Sequence, residues 1–138
     1  MFSSDSCILI VDDMATTRRL TVYQLGLLGY RNVEQAANGQ QALDLILKRI
    51  SEDNPVGLVI SDWNMPVISG IELLEIIRKS RTTTNLPFML VTAEDERTQV
   101  MRALKSRVND YLIKPIDKTI LEQKLQLLEK QSKSLKIA

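Results

Sequence analysis

Five side chains that can bind a cation or a phosphate follow short apolar runs in this 138-residue sequence. Asp12 and Asp13 follow one run, and Asp62, Thr92 and Lys114 each lie at the end of another. Short apolar runs bounded by turn signals are typical of buried strands in a parallel sheet, and the carboxyl ends of such strands meet at one edge. The sequence therefore predicts three carboxylates, one hydroxyl and one amine around a single cleft.

A carboxylate cluster of this kind must either take up protons or bind a cation, because each like-charged pair at ~4 Å costs about 4 kcal/mol at an effective dielectric constant of ~20. The sequence contains no histidine and one cysteine, so the cluster offers oxygen ligands, which favour a hard ion such as Mg²⁺. Carboxylates are known nucleophiles that form acyl phosphates. We therefore expect Asp62 to accept a phosphoryl group, with Lys114 and Thr92 contacting its oxygens.

Each of these residues also has a simpler structural explanation. Asp12 or Asp13 could cap the first helix, Thr92 could begin a turn, and Lys114 could be a solvated turn residue before Pro115. An aspartate before a turn, as at position 62, is common in ordinary α/β proteins. The occurrence of all five residues at strand ends is what favours a common site.

Apolar segments and helical patterns alternate along the chain, which predicts an α/β fold with a parallel sheet covered by helices on both faces. Strands are expected at 7–11, 32–37, 57–62, 87–91 and 111–113, and helices at 14–28, 40–50, 70–80, 95–105 and 118 to about 130. Gly29 is expected to end the first helix, and Ser69 and Asp117 to cap two others. Two buried faces fit the first helix equally well, namely Leu20, Tyr23 and Leu27 or Thr21, Leu25 and Leu28. The last helix is expected to bury Ile120, Leu121, Leu125 and Leu128.

Composition places the chain among ordinary globular proteins, with 44% hydrophobic residues, 25% charged residues and a net charge of +1. The basic residues are scattered, which argues against nucleic-acid binding. No apolar stretch reaches the ~20 residues of a membrane helix, and the N-terminus lacks a signal-peptide pattern. The single Cys7 suits a reducing cytoplasm. We expect one domain over residues 1–131, a polar, frayed tail over 132–138 and no output domain.

Four motifs, in order and spacing, resemble the receiver domains of bacterial two-component response regulators, and among these the stand-alone, CheY-like receivers of chemotaxis. They are Val11-Asp12-Asp13, Ser61-Asp62-Trp63-Asn64-Met65-Pro66, Val91-Thr92-Ala93-Glu94 and Tyr111-Leu112-Ile113-Lys114-Pro115. The resemblance covers about Cys7 to Lys130. It implies a doubly wound, flavodoxin-like sheet of five parallel strands in the order 2-1-3-4-5 with five helices.

The resemblance also implies which residues bind the metal and the phosphoryl group. Asp62 would be the phosphoacceptor, and Asp12 or Asp13, or both, would bind Mg²⁺ with it, Asp13 most directly. The backbone carbonyl of Asn64 would complete the metal site. Asn64 and Glu94 match positions that tune dephosphorylation in the family, and we expect rapid loss of the phosphate.

Three further positions carry the switch in this resemblance. Thr92 would be the switch hydroxyl that moves toward the phosphoryl group, and Tyr111 the aromatic side chain that turns inward on activation. Lys114 would pair with the phosphoryl group, and its peptide bond to Pro115 is expected to be cis.

The implied function is a monomeric, cytoplasmic signalling switch that catalyses only its own phosphoryl transfer and autodephosphorylation. A sensor histidine kinase would phosphorylate it, and the surface of the fourth helix, fifth strand and fifth helix would bind a partner. Trp63 beside Asp62 favours a flagellar motor switch as that partner. An alternative is a phosphorelay intermediate or phosphate sink that passes phosphate to a histidine phosphotransfer protein.

Readings from other protein classes fit the sequence less well. A Mg²⁺-dependent aspartyl phosphohydrolase typically has an acid/base Asp two residues after its nucleophile, where this chain has Asn64, and the chain has no room for a cap domain. A flavin- or nucleotide-binding module would need a glycine-rich loop after the first strand, which is missing.

One departure from the family pattern concerns the end of the fourth helix. The family usually has Ala-Gly-Ala where this chain has Ser106-Arg107-Val108. Glycine adopts a positive φ freely, so Arg107 must either accept ~1 kcal/mol of strain or end the helix in another way.

Overall fold

Five strands and five helices alternate along residues 2–93 and 97–137, which are the residues that the computed structural model describes. The strands are β1 (Cys7–Val11), β2 (Val33–Ala36), β3 (Val56–Asp62), β4 (Phe88–Thr92) and β5 (Asp110–Ile113). The helices are α1 (Ala15–Leu27), α2 (Gly39–Ser51), α3 (Gly70–Lys79), α4 (Arg97–Lys105) and α5 (Lys118–Ile137). Up to Ser80 and in β4 and β5, the predicted boundaries lie within one residue of these. The predicted start of the fourth helix at residue 95 lies outside the described residues.

The strands form one parallel sheet in the order β2-β1-β3-β4-β5, so the predicted fold class is confirmed. The pairing register aligns the ends of four strands at one edge. The aligned pairs are Val11 with Ser61, Asp62 with Val91, and Thr92 with Ile113. Because each of these residues is the last or next to last of its strand, the side chains that follow them lie side by side.

The core has two layers, one on each face of the sheet. Successive residues of β1 point to opposite faces, so Leu9 packs with α2, α3 and α4, whereas Ile8 and Ile10 pack with α1 and α5. All three side chains are almost completely buried. This arrangement explains why the central strands β1, β3 and β4 are nearly continuous apolar runs rather than alternating ones.

Helix α1 buries Thr21 and Leu25, with Leu28 partly buried behind them. The other predicted face is exposed, with Leu20, Tyr23 and Leu27 all more than half accessible. Thr21 tolerates burial because its hydroxyl donates a hydrogen bond to the Thr17 carbonyl at 3.1 Å. Gly29 follows the helix with a φ of 95°, as its predicted role as a stop residue requires.

Helix α5 begins after Asp117, whose carboxylate accepts hydrogen bonds from the backbone N–H groups of Thr119 and Ile120. The helix continues to Ile137, so the predicted end near residue 130 is wrong, and the helix includes most of the segment 132–138 that its polar composition predicts to fray. Leu121, Leu125 and Leu128 are buried, but the prediction for Ile120 is wrong, since that side chain is 46% exposed. Tertiary contacts hold the later turns: Ser132 Oγ accepts from the Phe2 N–H at 2.8 Å, and Tyr30 donates to Glu129 at 2.7 Å.

Helix α4 ends with Arg107 in the left-handed conformation, at a φ of 59°. The Val108 N–H donates to the Ala103 carbonyl at 3.1 Å, and the Arg107 N–H donates to the Leu104 carbonyl at 3.0 Å. This pair of bonds is the Schellman motif, which normally has glycine at the left-handed position. Arg107 therefore accepts the backbone strain instead of changing how the helix ends.

None of the helices in the described ranges combines the length and apolar character needed to cross a bilayer.

Candidate functional site

The carboxyl ends of β1 and β3 bring together the three predicted carboxylates. Asp12, Asp13 and Asp62 each offer an oxygen, and these oxygens all lie within 4.8 Å of one another. Asp12 is 5% exposed and Asp62 is 7% exposed, whereas Asp13 is open to solvent. The cluster is therefore a partly buried cleft with one accessible side.

Lys114 follows β5, which β4 separates from β3 in the sheet, and its side chain reaches this cluster. Its Nζ lies 2.9 Å from Asp62 Oδ2 and 3.9 Å from Asp12 Oδ2. Arg18 of α1 adds a second cation nearby, because its Nη1 donates to the Asp12 backbone carbonyl at 2.7 Å. Lys114 is thus the residue whose charge directly opposes that of Asp62.

The surroundings of Asp12 disfavour the ionised form of its carboxyl group. Burial raises the pKa of the Asp12 carboxyl, and the charges of Asp62 and Asp13 raise it further. The Met14 N–H, which donates to Asp12 Oδ1 at 2.9 Å, and the charge of Lys114 both lower that pKa without cancelling the rise. An added cation would therefore favour the ionised form of the cluster.

These donors fit a hard divalent cation. Three carboxylates within reach of one another provide oxygen ligands only, which is the chemistry that Mg²⁺ prefers. Asp13 is exposed, so a hydrated ion has access to the site. Asn64 begins the loop after β3 with an exposed side chain, and its carbonyl as a further ligand stays a prediction.

The loop between β3 and α3 holds Asp62 through its backbone. The Gly70 N–H donates to the Trp63 carbonyl at 2.8 Å, and Ser61 Oγ donates to the Asp62 carbonyl at 3.0 Å. A Cβ atom built on Gly70 would overlap the Asp62 carbonyl oxygen. The Ser69 side chain caps α3 as predicted, in a capping box with Glu72.

The contacts of Gly70, Ser61 and Arg18 with the site did not follow from the sequence pattern. For Gly70 a signal exists, since glycine directly after a helix cap is unfavourable unless backbone approaches closely.

Thr92 ends β4 beside Asp62 and is buried. Its Oγ1 donates to the Ala93 carbonyl at 3.0 Å rather than to the carboxylate cluster. The Lys114–Pro115 peptide bond is cis, which confirms that prediction. Glu94, the second residue predicted to tune dephosphorylation, lies outside the described residues.

Tyr111 of β5 faces outward, with its side chain 43% exposed and Lys124 Nζ lying 5.1 Å from the ring centroid. Lys124 also pairs with Asp110 at 2.6 Å. Tyr111 and Thr92 line the same small apolar pocket, of about 10 Å³. The other lining residues are Trp63, Val100, Ala103, Leu104 and Val108. A displacement of Thr92 would therefore change the size of the pocket next to Tyr111.

Comparison with known proteins agrees with this geometry. A model of the response regulator receiver domain family matches residues 8–126. A chemotaxis protein CheY homolog of Campylobacter jejuni is 39% identical over 119 residues, covering 86% of this chain and 88% of the relative. The chemotaxis protein CheY-3 of Vibrio cholerae is 39% identical over 118 residues, covering 86% and 87%.

The fold also matches solved structures. A crystal structure of a response regulator receiver domain protein from Clostridium thermocellum superimposes with a TM-score of 0.81 at 25% sequence identity. The match covers 94% of this chain and 98% of that one.

Proposed function

This chain belongs to the family of response regulator receiver domains of two-component systems, and we propose that it is a switch in which Asp62 accepts a phosphoryl group. It is a signalling protein rather than a classical enzyme, which argues against the phosphohydrolase alternative. The observation that carries the proposal is the contact of Lys114 with Asp62, at 2.9 Å, within a cluster of three carboxylates. That arrangement gives one acid both a counter-charge and a metal-binding environment.

In the proposed reaction, an Asp62 carboxylate oxygen attacks the phosphorus of a phosphohistidine on a sensor kinase. The new O–P bond forms as the N–P bond breaks, and the imidazole nitrogen keeps the electron pair of that bond. As negative charge moves from the carboxylate to the phosphoryl oxygens, the Lys114 ammonium group pairs with those oxygens instead. Asp12, Asp13 and Asp62 would hold Mg²⁺, which supplies positive charge that offsets the acids and the phosphoryl group.

The proposed switch connects Asp62 to Tyr111 through Thr92. A phosphoryl group adds a charge of roughly −1.5 to −2 and three strong hydrogen-bond acceptors. The Thr92 hydroxyl would exchange its bond to the Ala93 carbonyl for one to the phosphoryl group. This movement would open the small apolar pocket that the two residues share, and Tyr111 would turn into it, away from Lys124.

The surface that changes in this way is formed by α4, β5 and α5. It carries large apolar side chains that are 43% to 59% exposed, namely Met101, Leu104, Tyr111, Ile113, Ile120 and Leu127. Exposed apolar residues grouped on one surface are typical of protein interaction sites. We propose that a partner which prefers the inward position of Tyr111 binds here and shifts the population toward that state.

The names of the chemotaxis relatives support a role in chemotaxis, and we propose a flagellar motor switch as the partner. Transfer of phosphate to a histidine phosphotransfer protein is the alternative use of the same acyl phosphate. The two functions predict different fates for the phosphoryl group. If the partner is a motor switch, the group is lost to water; in a phosphorelay, it appears on a histidine of another protein. We propose rapid hydrolysis, tuned by Asn64 and Glu94, a cytoplasmic location and a monomeric state.

Beryllofluoride, which mimics a phosphoryl group on a carboxylate, tests the proposal through the fluorescence of Trp63. Trp63 is buried directly beside Asp62 and is the single tryptophan of the chain. We expect a saturable fluorescence change that requires Mg²⁺ and is lost in Asp62→Asn. Asp53→Asn, which makes the same chemical change in an exposed turn, should respond like the wild type. A response that survives in Asp62→Asn would refute the proposal.

Tyr111→Ala tests the proposed partner-binding step separately from phosphorylation. The variant should keep the Trp63 response, since Tyr111 does not contact beryllofluoride in this scheme, but should lose the increase in partner binding that beryllofluoride causes. Equal partner binding by wild type and variant, with and without beryllofluoride, would contradict the proposed switch while leaving the role of Asp62 intact.

A further inference from the structure

A second polar site lies at the opposite edge of the sheet from Asp62, where α3 and α4 end and β4 and β5 begin. It is an open pocket of about 460 Å³. Its lining consists of Arg78, Thr84, Asn85, Arg107 and Asn109. All five side chains carry groups that can form hydrogen bonds, two are cations, and none is acidic or apolar, so the pocket suits a small polar anion.

Arg78 forms hydrogen bonds across this pocket, and all of their acceptors are neutral. Its guanidinium donates to the carbonyls of Leu86 at 2.6 Å, Arg107 at 2.9 Å and Ser106 at 3.2 Å, and to Asn109 Oδ1 at 3.1 Å. Within the part of the chain that the structure describes, neither Arg78 nor Arg107 has a carboxylate at ion-pair distance. The carbonyls at the end of α4 carry partial charges only, so they offset less than one full positive charge.

The positive charge of Arg107 also acts on the Arg78 guanidinium. Burial lowers the pKa of Arg78 to about 10, and the positive charge of Arg107 contributes to the same shift. Two like charges that share a pocket are stabilised by an anion between them. Arginine suits this role because its planar fork matches the oxygens of a phosphate group.

Arg107 retains donors for such a ligand. Its Nη2 donates to Thr84 Oγ1 at 2.8 Å, and a guanidinium has five N–H donors in all. Asn85 is exposed at the rim and adds an amide. Arg107 also occupies the left-handed position where glycine would relieve the strain, so its side chain is present at a cost to the backbone.

We propose that this Arg78–Arg107 pocket binds an oxyanion of the phosphate class, at a site separate from Asp62. The ligand is either inorganic phosphate or the phosphate of a small phosphomonoester. An adjoining cavity of about 660 Å³ shares Asn85 and Asn109 with the pocket, which leaves room for the organic part of an ester.

Nitrogen-15 NMR titrations of the full chain without Mg²⁺ test the proposal, with inorganic phosphate in one arm and glycerol phosphate in the other. We expect saturable shifts of the Asn85, Arg107 and Asn109 signals in the millimolar range at low ionic strength, with no matching change at Asp62. Tighter binding of the ester would identify the adjoining cavity as part of the site, and equal binding would identify the phosphate group alone as the ligand.

Two variants separate the side chain from the fold. Arg107→Gly removes the guanidinium and at the same time relieves the positive φ, so the variant should be at least as stable as the wild type. Its affinity should fall by about tenfold or more, because charge-assisted hydrogen bonds are lost. Arg31→Ala removes the same charge from an exposed loop position and should bind as the wild type does. Equal titrations for wild type and Arg107→Gly, or shifts that never saturate, would overturn the proposal.

Discussion

Asp62 has one attractive and two repulsive charged neighbours. Lys114 Nζ contacts its carboxylate, whereas Asp12 and Asp13 place two further carboxylate oxygens nearby. The pKa of the Asp12 carboxyl is raised first by burial and then by the charges of Asp62 and Asp13. A divalent cation would offset the repulsion among the three carboxylates. Lys114 could then pair with the phosphoryl group.

Magnesium should therefore raise the thermal stability of the protein, since it binds the folded cluster better than the unfolded chain. A ligand at a hundredfold excess over its dissociation constant stabilises by about 2.7 kcal/mol. Asp13→Asn should lose most of this gain, and a chelator should reverse it in the wild type. Scanning calorimetry of wild type, Asp13→Asn and the surface control Asp53→Asn measures the effect. An equal Mg²⁺-dependent rise in Tm for all three would show that the cluster is not the binding site.

Val67 is a second strained residue, in the loop that follows Asp62. Its φ is 71°, its side chain is 87% exposed, and the Ile68 N–H donates to the Pro66 carbonyl at 2.9 Å across it. This is a γ-turn of the strained type, and a β-branched residue is poorly suited to it. The loop therefore stores strain next to the proposed phosphoacceptor.

Val67→Asn should increase the free energy of unfolding by about 1 kcal/mol, because asparagine tolerates a positive φ and little packing is lost. Val67→Thr is the matched control, since it keeps the β-branch and removes the apolar surface. Urea denaturation compares the two variants. If both gained equally, surface polarity rather than backbone strain would be the cause.

At the scale of single elements, the turn from β3 to α3 fixes the position of the Asp62 backbone. Gly70 allows this because the space for a Cβ is taken by the Asp62 carbonyl oxygen. The capping box of Ser69 and Glu72 then sets where the helix begins. The site thus depends on the entry into α3 as well as on the end of β3.

Gly70→Ala should lower the free energy of unfolding by about 1–3 kcal/mol, because the backbone must move apart to admit the methyl group. It should also weaken the Mg²⁺-dependent stabilisation, since Asp62 moves with that backbone. Gly26→Ala in α1 has no atom within 4 Å of the new Cβ and should stabilise by about 1 kcal/mol. Denaturant unfolding with and without Mg²⁺ compares the two. A neutral Gly70→Ala variant would contradict the close contact.

The strand ends could be predicted from the sequence, whereas the buried face of α1 and the length of α5 could not. Strand ends could be located because apolar runs stop abruptly at Asp12, Asp62, Thr92 and Lys114, so the composition of the site follows from the chain. The buried face of α1 could not be chosen, since Thr21 is acceptable in the core only through its bond to Thr17. The length of α5 depends on contacts with the far N-terminal segment, which no local pattern contains.

At the scale of the whole molecule, the parallel sheet separates two kinds of chemistry. One edge collects the carboxylates with Lys114, and the other collects Arg78 and Arg107. The surface formed by α4 and β5 lies between these edges. Thr92 and Tyr111 line an apolar pocket next to α4. Just after the end of α4, the Ser106 carbonyl accepts a hydrogen bond from Arg78. The proposed change at the acidic edge would therefore reach the exposed apolar surface over a short path.

Chemical trapping of the acyl phosphate shows which residue carries it, and Asp62 is the residue that we expect. The protein is incubated with Mg²⁺ and acetyl phosphate and then reduced with borohydride, which converts a phosphorylated aspartate to homoserine. Peptide mass spectrometry should place homoserine at position 62 in the wild type and in Asp53→Asn, and at no position in Asp62→Asn. Homoserine at Asp12 or Asp13 in the wild type, or phosphate uptake that persists in Asp62→Asn, would contradict the assignment.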